Sequence, residues 1–201
     1  PSLGARLDDQ NYSVLREIEL SEKTFDETRR VWTKPGVYGW QKIDAGSALL
    51  AQCLTQVWPQ APASVLDLGC GYGYLSLRIA QQWTDATLTA TDNNVAAVHA
   101  CKKNLATFSD RAEVVLDDCA VAIEKKFDAV ICNPPFHQGF SVEGDLTTRF
   151  LQSARAHLHK NGRALFVVNQ FIPLERKAQP LFSRVSEVSR TEGFKVLVLE
   201  A

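Results

Sequence analysis

Four consecutive residues, Asn133-Pro134-Pro135-Phe136, combine the types needed to handle an amine on a flat ring. The Asn side-chain oxygen and a backbone carbonyl of the proline pair can accept the two hydrogens of an NH₂ group from two sides. Each proline fixes φ and removes an N–H donor, so the carbonyls in the turn stay rigid and are not consumed by local hydrogen bonds. Phe136 follows on the same turn and offers a face on which a planar base can stack. An amine held by acceptors beside a ring points to chemistry on an exocyclic nitrogen. No general base is evident in the segment, and a nucleophile that is positioned and aimed does not require one.

A second cluster lies upstream. Asp67, Gly69, Cys70, Gly71 and Gly73 fall where an apolar run, Ser64 to Leu68, gives way to a helical pattern with Leu75, Leu77, Ile79 and Ala80. Glycines at a strand-to-helix turn let backbone N–H groups approach a ligand closely. The next β-rich run ends at Asp92, about 20 residues on, which is the spacing of a carboxylate that takes ribose hydroxyls. A dinucleotide fingerprint would want G-x-G-x-x-G, and Tyr74 stands where the third glycine should be. The loop alone also fits a tight turn in some other α/β protein; its register with Asp92 and the Asn-Pro-Pro-Phe turn is what gives it weight.

These residues need a scaffold that brings strand ends together. Strands are expected at 65–69, 87–91, 113–116, 127–132 and 163–168, with 185–188 and 194–199 as a terminal pair. Helices are expected from Asp44 as N-cap to Val57, from Leu75 to Gln82, over Val95–Leu105 behind Asn93 or Asn94, and over Leu146–Leu158, closed by Asn161-Gly162. Strands alternating with helices predict an α/β, doubly wound, mostly parallel sheet. Tyr12–Leu20 and Thr28–Tyr38 are weaker strand candidates. Residues 1–43 read as an extension before the core.

Composition sets bounds. The chain has 201 residues, 45% of them hydrophobic, enough for one sizeable core. No apolar run approaches a membrane span, and no secretory signal opens the chain. The five cysteines lack any C-x-x-C pair and do not fall at zinc-ligand spacing with the four histidines, so reduced core thiols in the cytoplasm are expected and no metal. A net charge of −1 argues against nonspecific nucleic-acid binding by the whole surface. Arg29, Arg30, Lys34 and Lys42, and Arg149, Arg155, Lys160 and Arg163, form local clusters that read as ordinary solvated charge. The chain starts at Pro1 and has no Met, so it is expected to be a fragment of a longer protein.

The glycine loop, Asp92 and Asn133–Phe136 together resemble class I S-adenosylmethionine-dependent methyltransferases. Within that class, Asn133-Pro134-Pro135-Phe136-His137 is similar to the "methyltransferase small" family, in particular the ribosomal RNA guanine-N2 enzymes. Gly36-Val37-Tyr38 followed by Ile43 to Leu50, Val167 to Pro173, and Gly193 to Val196 resemble further segments of that family, the last two favouring its small-subunit type. Tyr38 replaces the family's usual Phe, a mild change. Ser141 to Asp145 is a segment where relatives differ. The resemblance covers residues 28–201 as one methyltransferase domain and implies that 1–27 is a linker or N-terminal extension.

The resemblance implies a Rossmann-like fold with a seven-stranded sheet and an antiparallel C-terminal strand. It implies S-adenosylmethionine as cofactor, with Asp67, Gly69, Cys70 and Gly71 at its methionine end, Asp92 at the ribose, Asn93 against the adenosine, and Asp118 at the adenine amine. Asp117 is Asp118's neighbour, and the bland alternative is that one of the two merely caps the next helix. Asn133 and the Pro134 carbonyl would orient the guanine amine and Phe136 would stack on the base; His137 could touch the target, although a lone His beside a motif is more often structural or solvent-facing. The implied partners are ribosomal RNA or the small ribosomal subunit and a degenerate N-terminal methyltransferase-like domain, in a monomer with no membrane association. Methylation of a protein glutamine amide, adenine-N6 methylation, and a non-enzymatic RNA-binding module are the competing readings.

Overall fold

The computed structural model describes residues 14–22, 27–135 and 140–201. In chain order the elements are β1 (Arg16–Glu22), β2 (Glu27–Thr33), α1 (Ala45–Val57), β3 (Ser64–Leu68), α2 (Tyr74–Gln82), β4 (Thr87–Asp92), α3 (Val95–Asn104), β5 (Ala112–Leu116), β6 (Phe127–Cys132), α4 (Phe140–His157), β7 (Leu158–Asn169), α5 (Leu174–Ala178), β8 (Arg184–Arg190) and β9 (Phe194–Glu200). Seven strands form one sheet in the order β5-β4-β3-β6-β7-β9-β8. β5, β4, β3, β6 and β7 run parallel, whereas β9 is antiparallel to both β7 and β8. The direction of the sheet's crossovers reverses beside β3, so β3 and β4 lie on one side of the switch and β6 on the other. Open α/β sheets bind ligands at that point, outside the carboxyl ends of the strands.

Both faces of the sheet are covered, which is why its central strands read as continuous apolar runs rather than alternating ones. Val65, Ala90, Ile131 and Val167 pack into one cluster with residues of α1, α2 and α3. Leu66, Leu68, Val130, Cys132 and Phe166 pack into a second, with Phe150, Leu151 and Ala154 of α4. Neighbouring residues of β6 thus enter opposite layers, as the period of 2 requires. All five cysteines are free, and only Cys119 is less than buried. Among the described residues, no helix is long and apolar enough to cross a membrane.

β1 and β2 form their own antiparallel ladder, from Arg16 opposite Thr33 to Glu22 opposite Glu27. It crosses the 27/28 boundary drawn from the sequence, and Leu20 and Val31 are buried in the core. Asn104 fastens this ladder to the sheet. Its Oδ1 accepts from the Trp32 N–H at 2.7 Å, and its Nδ2 donates to the Trp32 carbonyl at 2.9 Å and to the Tyr72 carbonyl at 2.7 Å. The glycine loop is therefore braced from the N-terminal side.

Two local expectations change. α4 runs to His157 and passes straight into β7, so Asn161-Gly162 lies inside a strand and not in a helix C-cap. The register of β6 against β7 is irregular between Phe127 and Ala129. A Cβ on Gly162 would lie 2.9 Å from Leu158 Cδ2 and 3.1 Å from the Asp128 carbonyl oxygen, so this glycine serves close strand approach. α5 is a short helix for which the sequence pattern gave no assignment.

Candidate active site

The strand ends enclose a cavity of about 550 Å³ lined in part by Gly69, Cys70, Gly71, Asp92, Asn93 and Asp118 on one side and by Asp44, Ser47, Asn133 and Pro135 on the other. The two clusters singled out from the sequence meet in one space.

The glycine loop leaves β3 with Gly69, Gly71 and Gly73 all at positive φ (82°, 56° and 91°), a path open to glycine at little cost. Gly69 N–H and Cys70 N–H donate to the Thr91 carbonyl at 2.9 and 2.8 Å, which ties the loop to β4. The space around Gly71 is open, with nothing within 4 Å of a would-be Cβ. At Gly73 the reason is packing, because a Cβ there would stand 2.7 Å from Cys101 Sγ on α3. Hydrogen bonding with Cys101 and then burial push the Cys70 thiol well above its ordinary range, so it remains protonated.

Asp92 is aimed by the backbone. Its Oδ2 accepts from Gly71 N–H at 2.9 Å and its Oδ1 from Asn94 N–H at 2.8 Å. Burial raises its pKa, and these N–H groups oppose the rise. Each oxygen keeps a lone pair for a further donor. Asn94, not Asn93, caps α3, accepting from Ala96 and Ala97 N–H; Asn93 lines the cavity instead.

Asp117 and Asp118 divide their work. Asp117 Oδ2 accepts from Ala122 N–H at 2.9 Å, closing a turn that holds Cys119 and Ala120 at positive φ. No helix follows, so in place of the alternative helix cap Asp117 closes a turn. Asp118 pairs with Arg149 of α4 at 2.5 Å, and that bond holds its carboxyl below the usual range.

Asp67 sits behind the loop. It is fully buried, is not among the cavity-lining residues, and accepts from the Ser76 hydroxyl at 2.5 Å. Its Oδ1 has no hydrogen-bond partner among the described residues. Burial pushes its pKa up to about 7, against the Ser76 hydrogen bond and with the help of the Asp92 charge.

Across the cavity, Asn133 ends β6. Its Nδ2 donates to Asp44 Oδ2 at 2.9 Å and to Ser47 Oγ at 2.8 Å. Both amide hydrogens are used, so the amide cannot flip without losing two bonds, and Oδ1 is what it still offers. Asp44 is held in turn: Oδ2 caps α1 by accepting from Ser47 N–H at 2.8 Å, and Oδ1 accepts from the Tyr38 hydroxyl at 2.7 Å. Burial first, then the bond to Asp44 and its charge, raise the Tyr38 pKa, so this phenol stays a donor. The Tyr-for-Phe departure thus has a defined partner. Pro134 is buried and the cavity wall is made by Pro135. Phe136 and His137 lie outside the described residues.

The sequence reading took Asp44 as a helix cap and gave Ser47 and Tyr38 no part in the site. The signal was present in the D-x-G-S spacing, because an N-cap carboxylate with a hydroxyl three residues on presents both acceptors at one helix start. Of the basic clusters, Arg30, Lys42 and Lys160 are exposed, as solvated charge should be, whereas three arginines serve the structure. Arg29 is buried on Gln81, Arg155 donates to the Leu181 carbonyl, and Arg163 donates to the Val57 carbonyl.

Residues 28–198 match the family described as "Methyltransferase small domain". The chain belongs to the methyltransferase small-domain family. Among its relatives, the ribosomal RNA small subunit methyltransferase C of Escherichia coli O1:K1 is 34% identical over 83% of this chain and 48% of that protein. The protein of the same description from Buchnera aphidicola (strain APS) is 33% identical over 81% of this chain and 47% of its own length. A solved structure of a T. thermophilus 16S rRNA N2 G1207 methyltransferase, in complex with AdoMet and guanosine, superposes with a TM-score of 0.80 at 27% identity, over 93% of this chain and 50% of that one. This member of the methyltransferase small-domain family therefore spans about half the length of the relatives it matches.

Proposed function

We propose that this chain is the catalytic domain of an S-adenosylmethionine-dependent methyltransferase that acts on the exocyclic N2 amine of a guanine in 16S small-subunit ribosomal RNA. The observation that carries the reading is Asn133, whose two amide hydrogens are consumed by Asp44 and Ser47, leaving an acceptor at the same cavity that Asp92 and the glycine loop line. The relatives described above are methyltransferases of small-subunit RNA, and one was solved with the cofactor and guanosine.

The donor set fits the cofactor. Asp92 has a lone pair on each oxygen for a ribose diol, Gly71 leaves open space at the loop, and the half-exposed Asp118 carboxylate suits an adenine amine. When bound, S-adenosylmethionine supplies an electrophilic methyl group on a sulfonium that is already a good leaving group. Asn133 Oδ1 accepts one amine N–H and a carbonyl of the proline turn accepts the other. Two acceptors in the plane of the N–H bonds turn the nitrogen lone pair out of conjugation and toward the cofactor side, and this alignment is the main contribution of the protein. Phe136 supplies a stacking face. The proton left on nitrogen goes to water or along the acceptors that held it. Asp67 supports the loop from behind and is assigned no contact with the cofactor.

We assign capture of the ribosomal target largely to a second, methyltransferase-like domain within the additional length of the relatives, with the protein acting as a cytoplasmic monomer. The test is methyl transfer from labelled cofactor to small- and large-subunit RNA lacking the mark. Label entering small-subunit RNA alone is expected. Label in large-subunit RNA alone, or in a protein substrate alone, would refute the assignment.

A further inference from the structure

We propose that Asp44 is the residue that selects guanine, by presenting an acceptor to the ring N1–H beside the amine that Asn133 holds. This deepens the guanine-N2 reading and rests on it. Asp44 Oδ2 takes Ser47 N–H and Asn133 Nδ2, whereas Oδ1 takes only the Tyr38 hydroxyl among the described residues. A carboxylate has about four acceptor positions, so one remains, on Oδ1. Asp44 lines the same cavity as Asn133 and is bonded to it, so the acceptors run Asp44, Asn133 and then the proline turn.

That run matches one amine and not its competitors. In guanine the N2 amine is flanked by N1–H, a donor. In adenine the N6 amine is flanked by N1, and in cytosine the N4 amine by N3, both lone pairs. In a glutamine amide the neighbour is the carbonyl oxygen. A carboxylate fixed beside the amine site completes a donor edge in guanine and meets an acceptor in each of the others, where it would be left unpaired and repelled. Tyr38 and Ser47 hold the Asp44 carboxylate in place and are positioning residues.

The test separates selection from support. Guanosine and 2-aminopurine riboside both carry the 2-amino group, but the second has a lone pair at N1 in place of N1–H. Binding of each is measured with S-adenosylhomocysteine present, for the unaltered protein, Asp44→Asn and Asp44→Ser. Both replacements keep a capping oxygen for Ser47 N–H. In Asp44→Asn the amide oxygen can still receive Asn133, while the position facing N1–H becomes a donor. The protein is expected to prefer guanosine by about tenfold or more, and both variants to bring the preference within about threefold, chiefly through lost guanosine affinity. The loss of O6 in 2-aminopurine is common to every protein tested, so the change in ratio reports Asp44. An unchanged ratio in the variants, equal loss of both nucleosides, or no preference in the unaltered protein would overturn selection by Asp44. Methylation of guanine N2 in ribosomal RNA by the unaltered protein is read separately, so a failed ratio leaves the proposed function standing, and failed transfer brings down both.

Discussion

Asn133 and Asp44, 89 positions apart in sequence, meet through an Nδ2–H···Oδ2 bond of 2.9 Å. It joins the end of β6 to the start of α1, so the helix cap and the amide at the head of the proline turn form one rigid unit. A free Asn amide can present either its oxygen or its nitrogen; this one is committed to its oxygen.

Asn133→Ala is expected to leave cofactor affinity nearly unchanged and to lower turnover by a factor on the order of 10² or more, since its acceptor acts chiefly as the amine becomes nucleophilic. Calorimetry with the cofactor product beside single-turnover rates separates the two effects. Parallel loss of binding and rate would make Asn133 a cofactor ligand instead.

Asp92→Ala should act on the other side. It removes a half-buried carboxylate aimed by Gly71 and Asn94 N–H, so cofactor binding should weaken by roughly 1.5–3 kcal/mol. Wild-type affinity in a titration would remove Asp92 from the cofactor site.

Asp67 predicts a pH dependence of stability. Its pKa is raised to about 7 in the folded protein, whereas an unfolded Asp releases its proton near 3.9. Below pH of about 4 the carboxyl is neutral in both states and its contribution is fully present. Between about pH 4 and 7 the unfolded chain loses the proton that the folded chain retains, so the contribution falls, by at most on the order of 3–4 kcal/mol, and is gone above about 7. Denaturant unfolding of the protein and Asp67→Asn across this range should show the variant gaining relative stability as pH rises. Parallel curves would mean that the buried carboxyl does not titrate there.

Gly73→Ala should destabilise the fold by about 1–3 kcal/mol, because the new Cβ would meet Cys101 Sγ at a backbone φ of 91°. Gly71→Ala, in open space, should cost stability less and cofactor affinity more. Melting temperatures and cofactor titrations for the pair check this order.

The strands and most helices were legible in the sequence, because a sheet buried on both faces leaves unbroken runs such as Ala129 to Cys132, which the Pro134-Pro135 pair stops. Asp92 and Asn133 were legible as polar residues that end such runs. The pairing of Asn133 with Asp44 was not, since a contact across 89 residues depends on strand order, which local pattern does not encode. Gly162 misled for a related reason: a glycine needed to pass Leu158 and the Asp128 carbonyl looks in sequence like one that ends a helix. Arg163 and Arg155 likewise read as surface charge until the backbone carbonyls they serve were in place.

The central claim, an acceptor-lined site that methylates the guanine N2 amine, is tested most directly by identifying the modified nucleoside. Unmethylated small-subunit RNA is incubated with the protein and methyl-labelled cofactor, digested to nucleosides and separated against standards. The label should run with N2-methylguanosine and fall by the order of 10² stated above in Asn133→Ala. Label running with N6-methyladenosine, or with any nucleoside other than N2-methylguanosine, would contradict the account.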